Sequence, residues 1–193
     1  MKNTFLTVLI VGIGLTVRAQ DLPYKEIPGY PEDYSSGNVI SRMIDGLGYR
    51  YYWATENLRE EDLDYRISQD SRTTSETIEH IYGLSNTIIN AAKNTANVSQ
   101  DRSDMTFEDF RKGTLENLKQ ASDLFLGRSA DEVAELKIIF QYDNGSSEFP
   151  YWHMLNGPIA DALYHTGQMV SYRRASGNPI SPKVRVFMGK NRE

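Results

Sequence analysis

Apolar residues recur at three- and four-residue steps in four separate stretches of this 193-residue chain, a periodicity that suits amphipathic helices packed on one another. In the first stretch Ile40, Met43, Ile44, Leu47, Tyr51, Ala54 and Leu58 mark one buried face, with Ser36 or Asn38 available as its cap. Gly46 and Gly48 lie inside it. Each costs about 1 kcal/mol of helix propensity against alanine, and close helix packing is the simplest use for them. A second helix is predicted over about 74–93, with Thr77, Ile81, Leu84 and Ile88 along one side. Thr106 opens a third, where Asp109 stands at capping-box spacing. Its face is Phe107, Phe110, Thr114, Leu118, Ala121 and Phe125, and Gly127 stops it. The fourth begins near Pro158, a favourable first-turn residue, and stops at Gly177.

The connections are uneven. Residues 59–72 are charged and read as a loop, and 94–103 are polar. The longest is 128–152, where Leu136, Ile138 and Phe140 alternate with Lys137, Ile139 and Gln141, and where Asp143, Asn144 and Gly145 mark a turn. A short strand or an extended crossover fits this segment. The expected fold is all-α: a four-helix bundle over 37–180 with a long crossover before the last helix. A proline-bearing extended lead-in, 20–36, precedes it, and a tail, 181–193, follows.

Residues 1–20 read as an address. Lys2 precedes an uncharged apolar run over 5–17, and short residues flank a cut after Ala19. Such a run fits the core of a signal peptide better than a membrane span, which needs about 20 residues. The segment predicts a secreted or periplasmic protein with no membrane span after cleavage; a retained N-terminal anchor is the alternative. The chain holds no cysteine, which excludes disulfides, thiolate metal sites and a cysteine nucleophile. Twenty-one Lys and Arg against 26 Asp and Glu give a net charge of −5, without the basic field that holds a phosphate backbone, so nucleic acid is not an expected partner. No serine sits in a nucleophile-elbow turn.

The chemistry must then come from few residues. There are three histidines: His80, His153 and His165. Asp161 and His165 are one turn apart on the fourth helix, and with Gln168 and Tyr172 they span about 60° at about 100° per residue. This polar stripe borders the core-facing one, as His80 borders the apolar face of the second helix. Two facing helices would bring two imidazoles and a carboxylate together, a set suited to Zn²⁺ or another divalent first-row ion with coordination positions left open. A hydrogen-bonded polar pair on the surface is the alternative for Asp161 and His165. His153 fits a fourth ligand, a proton-transfer group or a packed loop histidine. Gln168 fits an orienting partner of a ligand or a plain polar helix residue. Arg173 and Arg174 fit an anionic substrate or a favourable basic helix end. Tyr49, Tyr51, Tyr52 and Trp53 fit a pocket mouth or the core.

The segment YWHMLNGPIADALYHTGQMVSYRRASGNP, residues 151–179, resembles the DinB and YfiT-like superfamily of four-helix proteins, most specifically at His165, Thr166, Gly167 and Gln168 followed by Arg173 and Arg174. The segment SRTTSETIEHIYGL, residues 71–84, looks like the helix that carries the family's first histidine. The resemblance implies a divalent-metal site in which His80 is the first ligand and His165 the last, with Asp161 where the family commonly has histidine. Carboxylate is a competent ligand. The resemblance does not distinguish Zn, Ni, Fe or Mn. It further implies an enzyme acting on a small molecule, a hydrolase or a group transferase that borrows a thiol, and a homodimer. A non-catalytic bundle that holds a metal or a small ligand is the alternative.

Overall fold

The computed structural model describes residues 21–193, so the expected signal peptide lies outside the described residues. Four long helices dominate: α1 (Ser36–Thr55), α3 (Thr74–Ala92), α4 (Phe107–Phe125) and α7 (Ala160–Ala175). Caps set their starts. Thr73 accepts the Glu76 N–H while Glu76 accepts the Thr73 N–H, and Thr106 and Asp109 repeat the exchange at α4. Gly127, at φ +80, ends the α4 segment where a side chain would be strained. The start of α1 differs from expectation. Ser35 is its cap residue and makes no side-chain bond, while Asn38 bonds Asp33 and accepts the Gly127 N–H at 2.8 Å, tying α1 to the end of α4. Within the charged stretch the expected loop contains a one-turn helix, α2 (Glu60–Leu63), because the Asp62 carboxylate accepts both the Arg59 backbone N–H at 2.9 Å and the Arg59 guanidinium.

α1 and α3 each pack against α4 and α7, so the core lies between four helices. Ile44, Leu47, Tyr51, Ile81, Ile88, Leu115, Leu118, Phe125 and Met169 fill it. Each such side chain contributes about 1.5–3 kcal/mol by leaving water. Met43, expected on this face, lies at the exposed edge. Among the described residues no helix is long and apolar enough to cross a membrane.

The expectation of an all-α chain is corrected by a three-stranded sheet, ordered β1-β2-β3. β2 (Lys137–Tyr142) and β3 (Gly145–Pro150) form an antiparallel hairpin that turns at Asp143 and Asn144, and β1 (Ala96–Asn97) pairs parallel to β2. Leu136 and Ile138 are buried with the core, and this anchors the hairpin on the bundle. Short α5 (Ala130–Ala134) precedes it and α6 (Trp152–Met154) follows. The last helix starts later than Pro158. A widened turn, Leu155–Ile159, kinks at Gly157 (φ −98, ψ −107) before regular helix begins at Ala160, since Pro158 has no N–H for the carbonyl one turn back.

The lead-in and the tail are both strapped to α1. Tyr24 (φ 76) is buried, donates its hydroxyl to Asp45 Oδ1 at 3.0 Å, and lays its ring on Gly48. Burial pushes the Asp45 carboxyl above its ordinary range, against the opposing hydrogen bonds from Ser122 and Tyr24. Ile27 N–H donates to Gly189 O at 2.7 Å, and the Tyr49 hydroxyl donates to Asn191 Oδ1 at 2.8 Å. The two helix glycines therefore differ. A Cβ at Gly48 would stand 2.4 Å from the Tyr24 ring, whereas at Gly46 the nearest atom is Arg50 Nη1 at 3.5 Å. Gly48→Ala is expected to cost about 1–3 kcal/mol by displacing Tyr24, while Gly46→Ala gains up to about 1 kcal/mol of helix propensity. Thermal melts of the two variants check this, and a Gly48→Ala protein as stable as the parent would contradict the strap.

Candidate metal centre

His80 stands in the second turn of α3, Asp161 in the first turn of α7 and His165 one turn further on. Because α3 and α7 pack together, the three side chains converge. His80 Nε2 lies 3.0 Å from Asp161 Oδ2, and His165 Nε2 lies 3.4 Å from Asp161 Oδ1. The two imidazoles meet edge to face, with centroids 4.7 Å apart. One ligand atom from each residue falls within 4.8 Å of the other two. The site is graded in depth: the side chains of His165, His80 and Asp161 are 11%, 30% and 41% exposed. The carboxylate thus sits at the mouth, near the positive end of the α7 dipole, which favours its charge.

Gln168 decides which nitrogen of His165 faces the cluster. His165 Nδ1–H donates to Gln168 Oε1 at 2.7 Å, and Gln168 Nε2 in turn donates to the Tyr164 hydroxyl at 3.0 Å. The Nε2 lone pair of a neutral His165 then faces a carboxylate oxygen, and two acceptors confront each other. Only something positive between them satisfies both: a proton on the ring, or a cation. Metal–ligand bonds of about 2.0–2.2 Å place ligands of one ion roughly 3–4 Å apart, a range that holds both His–Asp separations. Two borderline nitrogen donors and one hard oxygen suit a divalent first-row ion and do not choose among Zn, Ni, Fe and Mn. Three protein donors would leave positions for water or substrate.

The other expected site residues go elsewhere. His153 is exposed on α6, its ring edge-on to Phe149 at 5.7 Å, outside the three-residue cluster. Arg173 is buried and turned away: Nε donates to Asn178 O at 2.8 Å and Nη1 to the carbonyls of Trp53, Ala54 and Glu56. Those carbonyls end α1 and lack helical partners, which is why a guanidinium is stable there rather than at a substrate. Arg174 is exposed. Tyr49, Tyr51 and Tyr52 are buried and Trp53 donates its indole N–H to Lys25 O, so this cluster packs and straps rather than framing the site. Tyr164, which holds Gln168, is a participant missed in the sequence; its place four residues before Gln168 on one helix was the available signal.

Fold and site together define a mostly helical bundle with a cation-competent His–Asp–His cluster between two of its helices. The chain belongs to the DinB family, whose sequence profile matches residues 47–184, a span that contains all three cluster residues. Neither the curated proteins nor the solved structures give a match.

Proposed function

We propose that His80, Asp161 and His165 hold a divalent metal ion and that the protein is a metal-dependent enzyme, hydrolytic or group-transferring, acting on a small molecule. The observation that carries this reading is the facing pair of acceptors, His165 Nε2 and Asp161 Oδ1 at 3.4 Å, with His80 Nε2 at hydrogen-bond distance from the same carboxylate. A bound ion of this kind supplies Lewis acidity and lowers the pKa of a bound water or thiol. The protein's own contribution is placement. Gln168 and Tyr164 hold the His165 ring, Asp161 stands at the mouth, and the buried side of α7 keeps water from behind the cluster.

We further propose that the chain is exported by its N-terminal segment. Small thiols are scarce outside the cytoplasm and the chain has no cysteine of its own, so hydrolysis ranks ahead of thiol transfer. The carboxylate at Asp161, where the family resemblance implies a histidine, favours a second reading, a non-catalytic holder of metal or small ligand. Panels of ester, amide and thiol-acceptor substrates separate the two.

Elemental analysis of protein purified without a histidine tag tests the site. About one ion per chain is expected, with His80→Ala and His165→Ala reduced to background. Full occupancy surviving both substitutions would place the metal elsewhere.

A further inference from the structure

His80 also lines an open cleft of about 560 Å³, within the size range of about 300–1,000 Å³ usual for small-molecule sites. Three arginines share its wall: Arg66 and Arg72 from the loop before α3, and Arg102 from the loop before α4. Among the described residues the ion-paired arginines are Arg59 and Arg111, so none of these three has a carboxylate within 4.0 Å, although Asp70, Glu76 and Glu79 line the same cleft. Glu76 is committed to capping α3: it accepts the Thr73 N–H at 2.7 Å, a bond that holds its carboxyl below the usual range.

Arg102 is positioned without a polar partner. Its guanidinium lies over the Tyr82 ring at 5.3 Å, and its buried Nε has no hydrogen-bond acceptor. It packs against the bare backbone of Gly83, where a Cβ would stand 3.1 Å from Nη1. Gly83 is three residues after His80 and therefore on the same side of α3, about one turn or ~5 Å along it. A fixed planar donor fork thus stands one helical turn from a cluster residue. Such a fork matches a carboxylate or a phosphate.

We propose that the substrate is a small molecule bearing an oxyanion, carboxylate or phosphate, which binds Arg102 with Arg66 and Arg72 at the cleft mouth while the reacting part faces His80. This rests on the metal-dependent reading above for the reaction, though not for anion binding itself. The carboxylates of the same wall repel a polyanion, which keeps the site to one anionic group.

The test is titration with inorganic phosphate and with acetate at low ionic strength, followed by the arginine side-chain N–H resonances, on chelator-treated and on zinc-loaded protein. A saturable shift of the Arg102 Nε–H is expected in both forms, and the tighter of the two anions identifies the oxyanion class. Arg102→Gln is expected to weaken that binding about tenfold or more. The Arg66→Gln, Arg72→Gln double variant alters only exposed side chains, so its fold is retained, and it is expected to weaken binding severalfold. Absence of saturable binding by either anion overturns the proposal, as does affinity unchanged in both variants. Failure of zinc to load, with arginine-dependent binding intact in the chelator-treated protein, would remove the metal reading and leave the oxyanion site standing.

Discussion

Asp161→Ala is expected to lower the affinity for a divalent ion by more than about 100-fold, and Asp161→His to keep the ion bound. Loss of a group that merely orients a ligand costs about 10–100-fold in affinity, so loss of a ligand itself exceeds that range. Alanine here removes the one anionic donor and leaves His80 Nε2 without its partner at 3.0 Å. The alanine protein stays folded, because Asp161 is 41% exposed and the bonds it loses are partly solvated, worth about 1 kcal/mol or less. Histidine at the same position places a neutral nitrogen donor one turn from His165 and reproduces the three-imidazole set that the family resemblance implies. Competition against a chromophoric chelator measures both variants. Equal affinity in the parent and the alanine protein would show that the carboxylate does not ligate, and the cluster would then be a hydrogen-bonded polar set.

How much of this site was legible before the structure depended on which distances run along a helix. Asp161 and His165 meet through one helical turn, which spacing alone predicts, and Gln168 reaches His165 by the same local rule. The approach of His80 is a tertiary fact, set by how α3 and α7 pack; its place at the border of an apolar face made it conceivable, and the family resemblance pointed to it more specifically. Arg173 misled because its partners are the carbonyls at the end of α1, far away in sequence. The arginine wall left no periodic trace, since Arg66, Arg72 and Arg102 stand in two loops. Among the elements, the α4 cap was readable from Thr106 and Asp109, and β2 from the alternation of Leu136, Ile138 and Phe140. β3 was not: its residues Gly145, Ser146, Ser147 and Glu148 carry no apolar alternation, and it is a strand because β2 offers it a ladder.

Asp62→Ala is expected to destabilise the protein by about 2–4 kcal/mol, the second large effect, although Asp62 lies away from the cluster. Its side chain is 1% exposed and gathers two elements. Arg59 donates through its backbone N–H, Nε and Nη2, Ser176 through Oγ at 2.6 Å and Asn178 through Nδ2 at 2.6 Å. The carboxylate therefore joins α2 to the end of α7, beside the place where Arg173 caps α1. These donors, the Arg59 side chain foremost, hold the Asp62 carboxyl well below the usual carboxylate range. The sign of the pH dependence follows. Above about pH 5 Asp62 is charged in both the folded and the unfolded chain, and its contribution is complete. As pH falls through the ordinary value of about 4, the unfolded chain takes up the proton first, and stability drains away toward the lower folded value. Asp62→Asn removes that linkage while conserving size. Urea unfolding at a series of pH values is thus expected to show a gap between parent and asparagine variant that is widest above pH 5 and narrows with acid. A gap that stayed constant or widened below pH 4 would mean that the folded state does not favour the charged form, and that the junction draws its strength from packing alone.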